Sequence, residues 1–296
     1  MSRIAFLALT ASGIFWGLGF PLGKLSMREL PAAHMVLLRF SIAALAAAPF
    51  ALRTAEARRL LRSPAVLTAG ALYGVAFMVQ FEGLAHVSVA LAALIVGVMP
   101  ALIARGAPFL GERVTKISWF GVAAATLGAA LVAGRPGEAG SLLGVTLSLL
   151  ALLLFLAWVV ALKRAPEAKT PMAMPSVTVI VAAFTILPIS LLMHGPPRLD
   201  LSPVAWGGVI GQGVLSTLLA TAAWQYGSAR VASASAGVFI NIEPLFGAAV
   251  GVTFFHDRLT AAAIVGGLLI VAGSLTVVLG ERPRPHEITA LPPTPG

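Results

Sequence analysis

The chain has 296 residues, of which 58% are hydrophobic and only 10% charged, whereas an ordinary soluble domain carries roughly 25% charged residues. With a mean hydropathy of +0.95, the chain has too few charges to cover a water-soluble body of this size. This excludes a soluble globular enzyme and makes lipid the solvent for most of the chain. The net charge of +9 falls in short connecting segments rather than on one face, which argues against a nucleic-acid partner.

Long apolar runs dominate the chain. A helix that crosses the hydrocarbon core needs about 20 mostly apolar residues. Ten such runs follow one another, at 4–27, 33–52, 65–85, 89–110, 117–134, 141–162, 172–194, 203–226, 233–255 and 261–280. The separations at 86–88 and 227–232 hold almost no charge, so counts of eight or nine spans also fit. We therefore predict an all-α integral membrane protein with no extramembrane domain and a disordered tail over 281–296.

The distribution of lysine and arginine predicts the orientation in the membrane, because cytoplasmic loops retain positive charge. With the N-terminus inside, thirteen basic residues lie on the cytoplasmic side. Four lie on the outer side, namely Arg28, Arg135, Arg198 and Arg258. We therefore expect a multi-pass membrane protein with both termini in the cytoplasm.

The two halves of the chain resemble each other. Gly83 and Pro100 match Gly227 and Pro244 at an offset of 144 residues. After one inserted residue the offset is 145, at the pairs Phe109/Phe254, Arg113/Arg258, Thr115/Thr260, Gly121/Gly266 and Gly128/Gly273. Each half then holds five spans, and an odd number inverts the second half relative to the first. We predict one five-helix repeat over 1–134 and an inverted one over 135–280; the alternative is that duplication merely makes a stable bundle.

Short motifs recur in a fixed order. They are Phe15-Trp16-Gly17, then Pro100 before a Gly111-Glu112-Arg113 corner, then Glu243-Pro244 before a second corner, then the Gly266 to Gly273 spacing. In this the chain resembles the drug/metabolite transporter superfamily, and within it the ten-span EamA-type exporters, most closely the bacterial amino-acid exporters, including the aromatic amino-acid type. It departs from the family pattern at Phe255-His256-Asp257-Arg258, where glycine-glutamate is usual.

Charged residues inside the apolar runs are candidate functional groups, because a charge at the bilayer centre costs roughly 2.5 to 3.5 kcal/mol. Glu243, whose match in the first half is Met99, could meet a substrate ammonium group or carry a coupling proton. It could equally be a structural clamp paired with Arg39 or Lys24. Arg39 could also bind a substrate carboxylate. Lys24 shares a helical stripe with Trp16, and either faces the same cavity or snorkels to the interface.

Aromatic and amide side chains form a second predicted constellation on the third and eighth spans, which are equivalent in the repeat. A pocket for a small amphipathic substrate would use such groups. Ordinary helix packing or an interfacial aromatic belt is the alternative. The pocket would continue along the proline-broken fourth and ninth spans, where Pro100 and Pro244 are predicted to be structural or gating. The residues predicted to line it are Trp16, Tyr73, Phe77, Gln80, Met99, Thr221, Trp224, Phe239, Asn241 and Glu243.

The sequence lacks the motifs of an integral membrane enzyme. It has no H-E-x-x-H, G-x-S-x-G or P-loop sequence, its five histidines are scattered, and it has no cysteine. We therefore expect no enzyme, cofactor or metal site. We expect a secondary transporter that exports amino acids or related small metabolites by alternating access. The alternatives are a passive channel and a transporter of another metabolite class, such as nucleotide sugars or drug-like cations; the oligomeric state is not predicted.

Overall fold

A computed structural model describes residues 3–106, 114–134, 139–168, 170, 172–228, 230 and 238–280. Across these residues the chain is helical without any strand, and an isolated antiparallel bridge joins Val87 to Gly140. The predicted all-α membrane fold class is therefore confirmed. The Gly111-Glu112-Arg113 corner, Arg135, and the tail over 281–296 lie outside the described residues.

Eight helices form the first half. They are α1 (Arg3–Gly17), α2 (Gly19–Ser26), α3 (Ala32–Arg53), α4 (Ala55–Leu60), α5 (Pro64–Ala85), α6 (Val89–Val96), α7 (Met99–Gly106) and α8 (Lys116–Gly134). The second half holds α9 (Leu142–Lys163), α10 (Ala173–His194), α11 (Pro203–Gly211), a π-helical segment (Gln212–Leu219), α12 (Ala220–Ser228), α13 (Ile242–Phe254) and α14 (Ala261–Gly280).

Eight helical stretches of the described chain are long and apolar enough to cross a membrane. Several of them combine consecutive helices, as in Arg3–Ser26, Val89–Gly106 and Pro203–Ser228. Two shorter apolar helices, Lys116–Val132 and Val238–Phe254, fall where the fifth and ninth spans are predicted. The chain is therefore a multi-pass membrane protein whose helices begin and end close to the predicted bounds.

Pro100 and Pro244, which match each other in the two halves of the sequence, both lie beside breaks in a span. The fourth span turns at Gly97 and Val98 and resumes as α7 just before Pro100. The ninth span turns at Asn241 and resumes as α13, with Pro244 in its first turn. A proline costs little in a first turn, because its missing amide would have no helical partner there. Each proline thus sits where a helix restarts inside the membrane.

Helices α8 and α14 cross at glycines. A Cβ atom on Gly121 would lie 2.5 Å from the Gly273 carbonyl oxygen, and one on Gly128 would lie 2.5 Å from the Gly266 carbonyl oxygen. No side chain fits at that distance, so only glycine lets these backbones meet.

Candidate functional site

A cavity of about 40 Å³ lies inside the bundle, between the first, second, third, eighth and ninth spans. It is lined by Trp16, Gly19, Phe20, Arg39, Phe77, Gln80, Phe81, Ser216 and Glu243. Five of these nine are residues that the sequence singles out as substrate-binding, structural or gating. A cavity of this size has room for water rather than for a metabolite.

Arg39 is held in one orientation beside this cavity. Its side chain is 2% exposed, and its Nε donates a hydrogen bond of 2.9 Å to the Thr217 hydroxyl. That hydroxyl donates in turn to the Gln212 carbonyl at 2.9 Å. The guanidinium carbon lies 4.1 Å from the centre of the Phe77 ring, a cation–π distance. A buried cation fixed in this way presents a constant positive charge to the cavity.

Glu243 brings a carboxylate to the same cavity from the first turn of α13. The positive end of the helix dipole favours a negative charge at that position. Within the described part of the chain, no lysine or arginine nitrogen lies within 4.0 Å of this carboxylate. Arg39 and Glu243 therefore share one cavity without a direct ion pair.

Lys24, the other predicted partner of Glu243, binds elsewhere. Its ammonium donates hydrogen bonds of 2.7 Å and 2.8 Å to the carbonyl oxygens of Leu84 and Val87, at the end of α5. Close by, the Ala90 amide donates to the Asp257 carboxylate at 2.8 Å. These contacts join the first span and the last corner to the connection between α5 and α6.

We call the end of the bundle that carries this connection the distal face; its loops are 27–31, 86–88, 195–202 and 255–260. The departure from the family pattern also lies here. His256 has a backbone φ of 56°, a left-handed conformation that favours glycine. The residue after it, Asp257, accepts the hydrogen bond from the Ala90 amide, so this unusual corner contacts the first turn of α6.

The π-helical segment contributes a cavity residue that sequence spacing misses. Ser216 is 2% exposed, and its hydroxyl has no hydrogen-bond partner among the described residues. Gln212, one π turn earlier, donates from its side-chain amide to the Gly19 carbonyl. Because a π-helix has more residues per turn than an α-helix, α-helical spacing does not give the faces of this segment. An unpaired buried hydroxyl beside a cavity can bind a polar group of a ligand.

An aromatic cluster stands next to the cavity. The Tyr73 ring lies 4.9 Å from that of Phe77 and 4.8 Å from that of Trp158, and Phe77 lies 5.0 Å from Phe155. Phe155 and Trp158, on α9, were not predicted. Phe155 and Trp158 are three residues apart in a leucine-rich run, a spacing that places both on one face of a helix and could have indicated the cluster. Tyr73 itself does not line the cavity.

The other predicted pocket residues lie outside the cavity lining. The Trp224 ring is 5.5 Å from that of Trp16, and the Phe239 ring is 5.6 Å from that of Phe6. The Thr221 hydroxyl donates to the Thr217 carbonyl at 2.6 Å, within its own helix.

Two further predicted residues lie at the helix breaks. The Asn241 side-chain amide is 3.4 Å from the Val238 carbonyl, and its side-chain oxygen has no partner among the described residues. Met99 packs against the main hydrophobic core. Binding by these residues requires a shape of the cavity different from the present one.

A bundle of apolar helices around a small internal cavity lined by charged side chains defines a polytopic membrane protein. The chain belongs to the EamA-like transporter family, which matches it twice, at residues 3–134 and 142–279.

Several named proteins are similar over nearly the whole chain. A probable terminal-alkyne amino-acid exporter of Streptantibioticus cattleyicolor is 27% identical and covers 93% of this chain and 94% of its own. A biotin transporter of Escherichia coli K12 is 24% identical, with coverages of 93% and 92%. A solved crystal structure of 21% sequence identity superposes with a TM-score of 0.61 over 93% of this chain and 96% of its own. The last likeness concerns the fold alone.

Proposed function

We propose that this chain is a secondary transporter that exports amino acids or related small metabolites across the bacterial inner membrane by alternating access. In this proposal ten spans form two inverted repeats, 1–134 and 135–280, and both termini are cytoplasmic. The observation that carries the substrate class is the pair Arg39 and Glu243, two opposite charges that line one cavity without bridging each other.

The α8–α14 crossing supports the inverted repeats. Gly121 and Gly128 are the sequence equivalents of Gly266 and Gly273. In the structure Gly121 meets Gly273 and Gly128 meets Gly266. A pair of contacts in which each residue meets the equivalent of the other is what a two-fold axis produces.

A second pair of contacts obeys the same rule. A Cβ on Gly83 would lie 2.8 Å from the Ser148 hydroxyl, and one on its equivalent Gly227 would lie 2.5 Å from the Leu9 side chain. The separation between Leu9 and Ser148 in the sequence equals the separation between the first residues of the two family matches, 3 and 142, so Leu9 and Ser148 are equivalent positions. Two similar halves in opposite orientations can exchange conformations, which opens one side of a central site as the other closes.

The two cavity charges are exceptions to this symmetry. The equivalent of Arg39 is Thr178 at the offset that relates Leu9 to Ser148, and the equivalent of Glu243 is Met99 at the offset of 144 residues that relates Gly83 to Gly227. The repeat architecture therefore requires neither charge, although burying each costs free energy. A zwitterionic amino acid would supply a carboxylate to Arg39 and an ammonium group to Glu243, while Trp16, Phe20 and Phe77 would contact its side chain.

Transport of an amino acid through this site would require the helices to move. A cavity of about 40 Å³ cannot hold an amino acid, and the Lys24 and Asp257 contacts join the spans at the distal face. Substrate access therefore needs helices to separate. The breaks beside Pro100 and Pro244 are the places where the helices would bend in such a motion.

The experiment is a counterflow assay in proteoliposomes with three matched compounds: phenylalanine, phenethylamine and 3-phenylpropionate. Phenylalanine carries both charges, whereas the amine lacks the carboxylate and the acid lacks the ammonium group. If both cavity charges bind substrate, counterflow should saturate and phenylalanine should exceed each of the others at least about tenfold, since about 1.4 kcal/mol per lost charge contact is that factor.

The remaining outcomes separate the alternatives. Equal transport of the acid would indicate a carboxylate transporter, in line with the biotin transporters among the similar proteins. Equal transport of the amine would indicate a transporter of drug-like cations. Flux that never saturates would indicate a passive channel, and saturable counterflow of nucleotide sugars alone would reassign the substrate class.

A further inference from the structure

A groove of about 490 Å³ runs along the outer surface of the bundle, away from the central cavity. It is lined by residues of α3, α5 and α10 and of the segment after α4, namely Ala51, Leu52, Leu61, Leu67, Ile180, Val181, Phe184 and Thr185. All of them except Thr185 are apolar, and several are open to the surroundings; Leu52 is 65% and Phe184 is 71% exposed.

The groove has the depth of one leaflet. Leu52 and Leu61 mark one end of it, where α3 ends and α5 begins. Thr185 marks the other end. Leu61 packs against the cluster that contains Ala173 at the start of α10, so the groove extends at most the 12 residues from Ala173 to Thr185, roughly 18 Å along the helix. Half of the hydrocarbon core is about 15 Å thick. The groove therefore follows the path of one acyl chain from the interface to the bilayer midplane.

The short helix α4 closes the interfacial end of the groove. Its apolar residues Ala57 and Leu60 are buried against Ala173 and Val177, and the Thr54 hydroxyl caps its first turn by accepting from the Ala57 amide. The Glu56 carboxylate accepts from the Thr170 amide at 2.9 Å. A short amphipathic helix anchored in this way is suited to a position along the membrane interface.

Arginines stand at that end of the groove. Residues 53–62 contain four arginines and one glutamate, and all four arginines are exposed. The Arg58 guanidinium donates to the carbonyl of Leu52, a groove residue, at 2.6 Å, which fixes the cation at the rim. Arg62 directly follows the groove residue Leu61. A phosphate group at the interface would meet this positive rim while its acyl chain follows the apolar groove.

We propose that this groove binds an anionic phospholipid, with one acyl chain between α3, α5 and α10 and the phosphate held by Arg58, Arg59 and Arg62. The proposal uses none of the residues that line the central cavity, and it needs only that the chain spans a membrane. Charge complementarity selects an anionic headgroup, and the apolar lining of the groove selects a lipid with an acyl chain over a free phosphate.

The test measures the thermal midpoint of the purified full chain in detergent with phosphatidylglycerol, phosphatidylcholine or glycerol 3-phosphate added, and the affinity for each by native mass spectrometry. Phosphatidylglycerol should raise the midpoint more than phosphatidylcholine, and glycerol 3-phosphate should have no effect. Arg62→Gln should weaken phosphatidylglycerol binding about fivefold, as expected for one lost interfacial cation. The triple variant that combines Arg58→Gln, Arg59→Gln and Arg62→Gln should remove the preference for the anionic headgroup.

Lys116→Gln and Leu192→Trp are control variants, and Leu67→Trp is a further test of the groove. Lys116→Gln removes an exposed cation at the start of α8 and should leave the lipid preference unchanged. Leu67→Trp fills the groove and should weaken phosphatidylglycerol binding, whereas Leu192→Trp, at a side chain 88% exposed elsewhere on α10, should not. Equal effects of the two lipids, an unchanged preference in the arginine triple variant, or full stabilisation by glycerol 3-phosphate would each overturn the proposal.

Discussion

At the scale of single residues, two opposite charges line the same cavity and each is held by its own surroundings. Arg39 is fixed by Thr217 and by the Phe77 ring, whereas Glu243 lies in the first turn of α13. Neither charge is neutralised by direct contact with the other. Buried charges that are close but unpaired can accept a substrate that carries both complementary groups.

Glu243→Gln separates a functional carboxylate from a structural one. The amide keeps the shape and a hydrogen-bonding group, so we expect the melting temperature to be retained while transport falls at least about tenfold, equivalent to about 1.4 kcal/mol. Both are measured on the same purified variant, by thermal unfolding and by counterflow. If Glu243 acts instead as a structural counter-charge for Arg39, stability should fall first.

The control for this substitution is Glu82→Gln, at an acid 47% exposed beside His86. It should change neither stability nor transport by much, because a solvated surface ion pair contributes little. A stable Glu243→Gln variant that transports at the parental rate would contradict both roles.

At the scale of helices, α8 packs on α14 because glycines let the two backbones come into direct contact. Gly128 faces the Gly266 carbonyl, where an added Cβ would lie 2.5 Å away. Gly128→Ala should therefore lower the melting temperature or prevent folding, since rigid backbone on both sides cannot move apart cheaply.

Gly207→Ala, on α11, is the matched substitution. A Cβ there would meet nothing within 4 Å, and alanine favours the helix by up to about 1 kcal/mol over glycine. Its melting temperature should stay equal or rise. Similar losses in both variants would show that the glycine crossing is not what fixes this packing.

Glu29 joins two loops of the distal face and should make their contact sensitive to pH. Glu29 accepts hydrogen bonds from the Ser202 hydroxyl and, at 2.9 Å, from the Ser202 amide. The hydrogen bond from the Ser202 hydroxyl, and to a smaller extent the one from the Ser202 amide, lowers the pKa of Glu29 below its ordinary value. A lowered pKa means that the stabilisation is present above the ordinary glutamate pKa and is lost as the pH falls through the folded-state value.

Glu29→Gln should thus lower the melting temperature at neutral pH and have a smaller effect at a pH below the ordinary glutamate pKa. Thermal unfolding of parent and variant at the two pH values gives this difference. An equal loss at both would mean that the carboxylate charge does not stabilise the loop contact.

At the scale of the whole molecule, the proposed inverted repeats make a topological prediction. The chain contains no cysteine, so single cysteines can be placed at Ser63, Thr170, Gly137 and Pro197 without background. Impermeant thiol reagents should label Ser63→Cys and Thr170→Cys from the cytoplasm, and Gly137→Cys and Pro197→Cys from outside. Labelling of Ser63→Cys and Gly137→Cys from the same side would rule out five spans in each half.

Composition and periodicity were sufficient for the membrane class and for the positions of the helices. A span is a local property, because each run of apolar residues must satisfy its own backbone hydrogen bonds in lipid. The bounds of α3, α5, α10 and α14 therefore follow from hydropathy alone, whereas the crossing of α8 and α14 at the matched glycines was not predicted.

Only the tertiary structure decided which polar side chains share the cavity. Ser216, in the π-helical segment, lines the cavity but was not predicted. Lys24, although on a stripe with Trp16, binds carbonyls at the end of α5. Trp224 contacts Trp16 beside the cavity rather than inside it. Such positions depend on helix register, tilt and conformational state, which are set by packing between distant segments and leave no local mark in the sequence.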